Sequence, residues 1–347
     1  MAPAALGSPR LAPTVVGPTT KKATRPTRQL PRSLIEGAKV EKKMPFDPDT
    51  HIIYQPPEKI HLMSELGLEG AGISPNAISE PFPLFSEAAI KQMRAEIFSD
   101  PVLADCQYAS TFCTNMIRGM GHQRAPFVYD AWKSSRLLSS VSEVAGVDLV
   151  PAWEYEVANI NIAVKDDDEA ESSIDQMVDV KDDNTAAFGW HYDSFPFVCV
   201  AMLSDCTHMV GGETAVQLPS GDIKKFRGPA MGYAVVMQGR YLQHQALKAI
   251  GGRERISMVT PFRPKDPLVR DEIVLVGVRG ISNLSEVYPQ YYEYRLDVLE
   301  ERIRARKKAE RARETAYRPF SLAEERDWIR AQRDYLDSML NEMYEVK

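Results

Sequence analysis

Phe188-Gly189-Trp190-His191-Tyr192-Asp193-Ser194-Phe195-Pro196 is the stretch around which the chain is organised. His191 and Asp193 stand two apart, and on an extended segment such residues project from the same face. An imidazole and a carboxylate side by side are two ligands for one divalent metal. A third is His244, which follows the apolar run Gly232 to Gly239, read as a strand with the histidine at its end. Two histidines and one carboxylate gathered on one side of an ion leave its opposite positions open to small molecules. A single histidine beside apolar strands is more often a hydrogen-bonded structural residue, so only the set of three points to metal.

Downstream, Arg255-Ile256-Ser257 heads the apolar run that ends at Phe262. Arg255 and Ser257 again share a strand face. A guanidinium stays charged and meets a carboxylate bidentately, and a neighbouring hydroxyl adds a further hydrogen bond. The pair is a socket for the remote carboxylate of an organic acid. The ordered set of His-X-Asp, distal His and Arg-X-Ser resembles the non-haem Fe(II)/2-oxoglutarate-dependent oxygenases. That resemblance implies Fe(II) on His191, Asp193 and His244, with 2-oxoglutarate as co-substrate gripped by Arg255 and Ser257. It implies O2 as oxidant and attack on a substrate C–H bond, with succinate and CO2 released. It also implies a mainly β fold with flanking helices, built on a double-stranded β-helix (a cupin-like jelly roll).

Composition bounds the alternatives. The chain has 347 residues, 26% of them charged and 44% apolar, with a formal charge of −6. That is ordinary globular composition, long enough for a large core. The negative charge argues against a nucleic-acid surface, and no apolar run is long enough for a membrane span. No apolar stretch of secretory type appears near the start. Cys106, Cys113, Cys199 and Cys206 are few and scattered, the pattern of reduced thiols in the cytosol.

Four regions follow along the chain. Residues 1–45 are rich in Pro and Thr, with basic residues far outnumbering acidic ones, and read as a disordered tail. Organelle transit peptides share that charge bias, but the prolines would break the amphipathic helix they need. Residues 46–150 read as a helical N-terminal part, with helices at Ser86–Phe98 and Ala131–Ala145, the latter ended by Gly146. Between those helices the loop Asn115–Arg124 holds Arg118, His122 and Arg124 and could line a substrate mouth or be an ordinary loop. His122 is not needed as a ligand, because the triad is complete elsewhere.

Residues 151–265 read as the barrel. Ala152–Val164 is expected to form one strand, with Asn159 and Asn161 turned towards a polar interior and Asn161 the better candidate for cofactor contact. An acidic loop at 165–184 reads as solvated rather than as a calcium site, since the required Gly and terminal Glu spacing is missing. Strands at 195–203, 213–218, 233–237 and 256–262, separated by Gly/Pro turns, carry the jelly-roll rhythm. His208, in a turn, reads as a surface residue. Residues 266–347 read as a C-terminal helical extension. Tyr292, Leu296, Leu299 and Ile303 form one apolar stripe, and Ser321-Leu-Ala-Glu324 is a capping box. Leu322, Ile329, Leu336 and Met343 recur at every seventh position. A homodimer through these helices and a helix packed on the barrel both fit that pattern.

Within the superfamily, Arg263 falls outside the spacing of the second arginine in nucleic-acid demethylases. Arg-X-Ser also departs from the lysine that JmjC-type histone demethylases use. Trp190-His-Tyr-Asp-Ser-Phe-Pro-Phe197 with Gly211-Gly-Glu-Thr214 is similar to fungal oxygenases of secondary metabolism, one of which makes an aziridine from valine. The expected substrate is therefore an amino acid or small metabolite, which is hydroxylated or oxidatively cyclised. The rival readings are a protein side-chain hydroxylase and a catalytically silent cupin-like binding barrel.

Overall fold

The computed structural model describes residues 12–18, 22–111, 113–164, 189–206, 210–226, 230–247, 249–250 and 254–346. The acidic segment 165–184, His208 and Phe188 lie outside the described residues. Eight strands frame the site: β1 (Met116–Ile117), β2 (Asn159–Val164), β3 (Phe197–Met202) and β4 (Thr214–Gln217), then β5 (Ile223–Phe226), β6 (Tyr233–Met237), β7 (Gln243–Ala246) and β8 (Glu254–Pro264). At the centre of a ten-stranded antiparallel sheet they run in the order β6-β3-β8-β2-β1. A separate three-stranded sheet has the order β5-β4-β7.

Strand alternation explains how the large sheet is covered. On β8, Ile256, Met258 and Phe262 enter the main apolar core, whereas Arg255, Ser257, Val259 and Pro261 line a cavity on the other face. The same period of two puts Ile160 and Ile162 of β2, and Cys199 and Ala201 of β3, into the core, leaving Asn159, Asn161, Val198 and Val200 to the cavity. One face of the sheet is thus roofed by helices, and the other encloses the site.

The roof is formed by the helices Glu87–Ile97, Pro126–Lys133 and Ser135–Ala145. Ser86 caps the first by accepting the Ala89 N–H at 3.2 Å. The single helix expected at Ala131–Ala145 is two, because Ser134 takes an extended conformation and its hydroxyl captures the Leu137 N–H at 3.3 Å. Gly146 ends the second in the left-handed region, as expected. Trp132, fully buried, joins roof to sheet with its ring 5.9 Å from Phe262 and its N–H on Met258 Sδ.

Three further expectations need correction. Among described residues more are helical than extended, so the fold is mixed rather than mainly β. Ala152–Val164 is not one strand: Glu154–Glu156 is a 3-10 turn, and Ala158 sits at φ 58° with its N–H on Thr260 Oγ1. That left-handed residue breaks the extended run and β2 begins after it. Finally, the described part of 1–45 is ordered. Arg32–Gly37 is a short helix whose Leu34 joins the main core, and Val15 is buried. A few apolar residues among prolines found a ready-made surface to dock on, which composition does not report.

The C-terminal helices, Leu284–Thr315 and Leu322–Glu342, start at Asn283 and Ser321 caps. Of the stripe expected on the long helix, Tyr292, Leu296 and Ile303 are exposed and only Leu299 packs against the apolar cluster that holds Tyr294 and Val298. The buried face of the helix is Val287, Tyr291, Tyr294, Arg295 and Val298. The centre of that face is a charge. Arg295, 1% exposed, lies 3.2 Å from Asp271, donates to the Tyr335 carbonyl at 2.9 Å and stacks over the Tyr335 ring. Removing it leaves Asp271 unpaired, and Arg295→Ala is expected to lower stability by about 3–5 kcal/mol. Leu296→Ala, one position on, should cost less than about 1 kcal/mol. Denaturant midpoints of the two variants check this, and equal losses would restore the aliphatic stripe as the docking face.

Candidate metal centre

The backbone brings the three candidate ligands together before any side chain acts. His191 N–H donates to the His244 carbonyl and His244 N–H to the His191 carbonyl, both at 3.0 Å. This isolated antiparallel bridge hooks the segment after 188 onto β7. His244 therefore does not close the strand begun at Gly232, as the sequence suggested. That strand ends at Met237, a turn closed by Tyr241 N–H on the Gln238 carbonyl follows, and β7 runs in the other sheet beside β4. Asp193 is held by the same turn, its N–H 2.9 Å from the Gly239 carbonyl.

Gly239 is a site residue that the sequence reading missed. A Cβ on it would stand 1.8 Å from Asp193 Oδ2, so no larger residue fits beside the carboxylate. The available signal was a glycine between the end of a strand and a ligand histidine. Arg240 was missed too; buried, it donates through Nε to the Glu272 carbonyl at 3.1 Å and through Nη1 to the Pro13 carbonyl.

Both imidazoles are oriented by main-chain acceptors. His191 Nδ1 lies 2.7 Å from the Gly189 carbonyl and His244 Nδ1 2.9 Å from the Leu242 carbonyl. A carbonyl only accepts, so each Nδ1 carries the proton and each Nε2 is left as a lone-pair donor, the usual arrangement behind a metal-bound histidine. His191 Nε2 is 3.6 Å from Asp193 Oδ1 and His244 Nε2 3.7 Å from Oδ2. The ligand atoms all lie within 4.8 Å of one another. Three such donors, converging on one point and turned to an open cavity, fit a divalent ion.

The electrostatics match. Burial pushes the Asp193 carboxyl up, but His244, His191 and the Arg240 guanidinium outweigh it and hold the group below the usual carboxylate range. Burial lowers His244 against the pull of Asp193 and keeps it neutral, as a ligand must be. At His191 burial acts downwards too, and the hydrogen bond and charge of Asp193 reverse it.

The triad opens on a cavity of ≈ 210 Å³ between the two sheets. Asn161, Arg255 and Ser257 line it with the three ligands. Ser257 pairs in register with Asn161, and Arg255 with Ala163. Among the described residues no carboxylate pairs with Arg255, whose pKa is lowered chiefly by burial. A half-buried guanidinium facing a cavity, with no carboxylate beside it among the described residues, fits the carboxylate of an organic acid. Of the loop Asn115–Arg124, Arg118 reaches the cavity, whereas Arg124 pairs with Asp105 and His122 with Asp130 at the surface. Arg118 pairs with Glu156, and both line the cavity beside Asn159. Val16, from the segment expected to be disordered, lines it too.

No family model matches the chain, and neither does any curated protein. Partial likenesses to solved structures exist. A Burkholderia pseudomallei oxidoreductase of the 2OG-Fe(II) oxygenase family shares 16% identity over 43% of this chain, at TM-score 0.31. The match spans 65% of that protein, just under two thirds. AviO1 from Streptomyces viridochromogenes Tue57 shares 16% over 56% of this chain and 92% of its own, at TM-score 0.37. A Pseudomonas putida prolyl-4-hydroxylase shares 17% over 44% of this chain and 72% of its own, at TM-score 0.26. Likenesses at these scores carry no argument, and the site must speak for itself.

Asp193→Ala is expected to abolish stoichiometric metal binding, measured by anaerobic Fe(II) or Mn(II) titration. Gly239→Ala should weaken it by at least tenfold, because the new methyl displaces Oδ2. Full metal uptake by Asp193→Ala would remove the triad assignment.

Proposed function

We propose that the protein is a non-haem Fe(II)/2-oxoglutarate-dependent oxygenase acting on a small molecule, an amino acid or a secondary metabolite. The observation that carries this reading is a single cavity holding both the triad His191, Asp193 and His244 and the half-buried Arg255, which has no carboxylate partner among the described residues. Fe(II) on the triad would supply the redox chemistry, coupling oxidative decarboxylation of 2-oxoglutarate by O2 to oxidation of a substrate C–H bond, with succinate and CO2 released. The chain's own residues bind and orient. Arg255 and Ser257 hold the far carboxylate of 2-oxoglutarate, and Asn161, level with Ser257, adds an amide to the same socket. Val198, Val200, Met237 and Val259 wall the cavity with apolar side chains and keep water from the reacting centre.

A large and a small antiparallel sheet enclosing the site support a double-stranded β-helix as the core. The Trp190–Phe197 resemblance supports the fungal, secondary-metabolite version and makes valine, with aziridine closure, the first substrate to try. A cavity of only ≈ 210 Å³ favours such substrates over a protein side chain, and the complete triad weighs against a silent binding barrel. Four unpaired cysteines suit a cytosolic setting. Among the described residues no helix is long and apolar enough to cross a membrane.

Succinate release from Fe(II), 2-oxoglutarate and O2, with each free amino acid added in turn, tests the class. Stimulation by one of them is expected, and Arg255→Ala should raise the 2-oxoglutarate requirement by at least tenfold while sparing metal binding. Absence of release from metal-loaded protein would sink the enzyme reading in favour of the binding barrel.

We also propose a homodimer through the last helix, because Leu322, Ile329 and Leu336 are exposed at seven-residue spacing with Leu340 beside them, although Met343, the fourth of that series, packs against the chain's own apolar cluster. Sedimentation should show a dimer for the native chain and a folded monomer for Ile329→Glu/Leu336→Glu. A native chain that sediments as a monomer at micromolar concentration removes this proposal.

A further inference from the structure

The cavity has a second polar end. On β2 the cavity-facing residues Asn161 and Asn159 lie about 7 Å apart along the strand, and Asn159 is level with Val259 of β8. Arg255 and Val259 are four positions apart, so Asn159 sits about 13 Å along the sheet from the level of Arg255 and about 7 Å from that of Ser257 and Asn161. Beside it, Arg118 Nη2 donates to both carboxylate oxygens of the fully buried Glu156, at 2.8 and 2.7 Å, and Nε donates to Ser282 Oγ at 3.3 Å. Asn159 Nδ2 donates to the Glu156 carbonyl at 3.1 Å and to its Oε2 at 2.9 Å.

Two groups are left over. Asn159 is 6% exposed, yet its Oδ1 has no hydrogen-bond partner. The amide cannot flip to relieve this, because a flip would set the oxygen against the Glu156 carboxylate. Arg118 Nη1 has no acceptor among the described residues. Both residues are anchored on the same carboxylate and both line the cavity, so a partnerless acceptor and a guanidinium with a spare N–H edge share one end of it. A buried acceptor left in this state, as at Asn159 Oδ1, is uncommon and points to a ligand that completes the bonding.

We propose that Arg118 and Asn159 are the specificity-determining residues of a substrate subsite for a free α-amino acid. The Arg118 guanidinium takes the carboxylate and Asn159 Oδ1 accepts from the ammonium. The inference rests on the oxygenase reading and adds to it the residues that would select an amino acid over other small metabolites. Charge balance favours a zwitterion over a simple acid or amine. Arg118 and Glu156 cancel, and a net-neutral ligand leaves the cavity neutral, whereas a lone carboxylate or ammonium would bury a net charge. Gly277, Val278 and Ile281, which also line the cavity, offer apolar surface to an aliphatic side chain.

The test is calorimetry on the full chain, loaded with redox-inert Zn(II) and 2-oxoglutarate. The twenty protein L-amino acids are titrated in turn, followed by the deaminated and decarboxylated analogues of the tightest binder. One or more amino acids should bind, and each analogue should bind ten- to a hundredfold more weakly. Asn159→Ala, and Arg118→Lys, which keeps the charge opposite Glu156, should each weaken the amino acid by roughly the same factor. The subsite is overturned if no amino acid binds, if the deaminated analogue binds as tightly, or if folded Asn159→Ala is unchanged. Titration of 2-oxoglutarate into the Zn(II) protein reports separately on the oxygenase reading. Binding of 2-oxoglutarate that is lost in Arg255→Ala, without any amino-acid binding, would leave that reading standing and remove the subsite.

Discussion

Everything at the site hangs on the reciprocal backbone pair between His191 and His244. The two residues come from different parts of the chain, and His244 lies on the small sheet. Two hydrogen bonds at 3.0 Å set the imidazoles with ring centroids 4.3 Å apart and leave no freedom in their relative height. The side chains then need only the rotation fixed by the Gly189 and Leu242 carbonyls. The geometry of the candidate metal site is thereby delegated to the main chain, the least variable part of a protein.

The turn that carries Gly239 has a steric rather than conformational reason for its glycine. Asp193 must approach the backbone so closely that a methyl would overlap Oδ2. The same turn supplies Arg240, whose charge helps keep the carboxylate ionised against burial. One short segment thus sets the place, the clearance and the charge state of the ligand.

The rest of the fold makes a polar cavity tolerable. β8 separates two environments by strict alternation: Ile256, Met258 and Phe262 belong to a dry core under the helical roof, and Arg255 and Ser257 to the cavity. A slip of one residue would bury a guanidinium in that core, so pairing with β2 and β3 on both sides is a condition of the site as much as of the sheet. Along the long C-terminal helix a similar rule is met with aromatic and charged residues, and there aliphatic periodicity misleads.

By itself the sequence determined the local facts. His191 and Asp193 share a face because they are two apart on extended chain, Arg255 and Ser257 for the same reason, and Asn159 and Asn161 turn towards the interior. Ser86, Gly146 and Ser321 start and stop helices through their own side chains or lack of one. Tertiary structure decided what depends on distant partners. It placed His244 on a second sheet, brought Gly239 against Asp193, put Arg118 rather than Arg124 into the cavity, and docked Leu34 and Val15 from a segment whose composition reads as disordered. It also chose Tyr291 and Arg295 over Tyr292 and Leu296. The physical reason is common to all of these. Propensity and periodicity report how a residue relates to its chain neighbours, whereas burial, close approach and ion pairing are set by surfaces that exist only once the chain has folded.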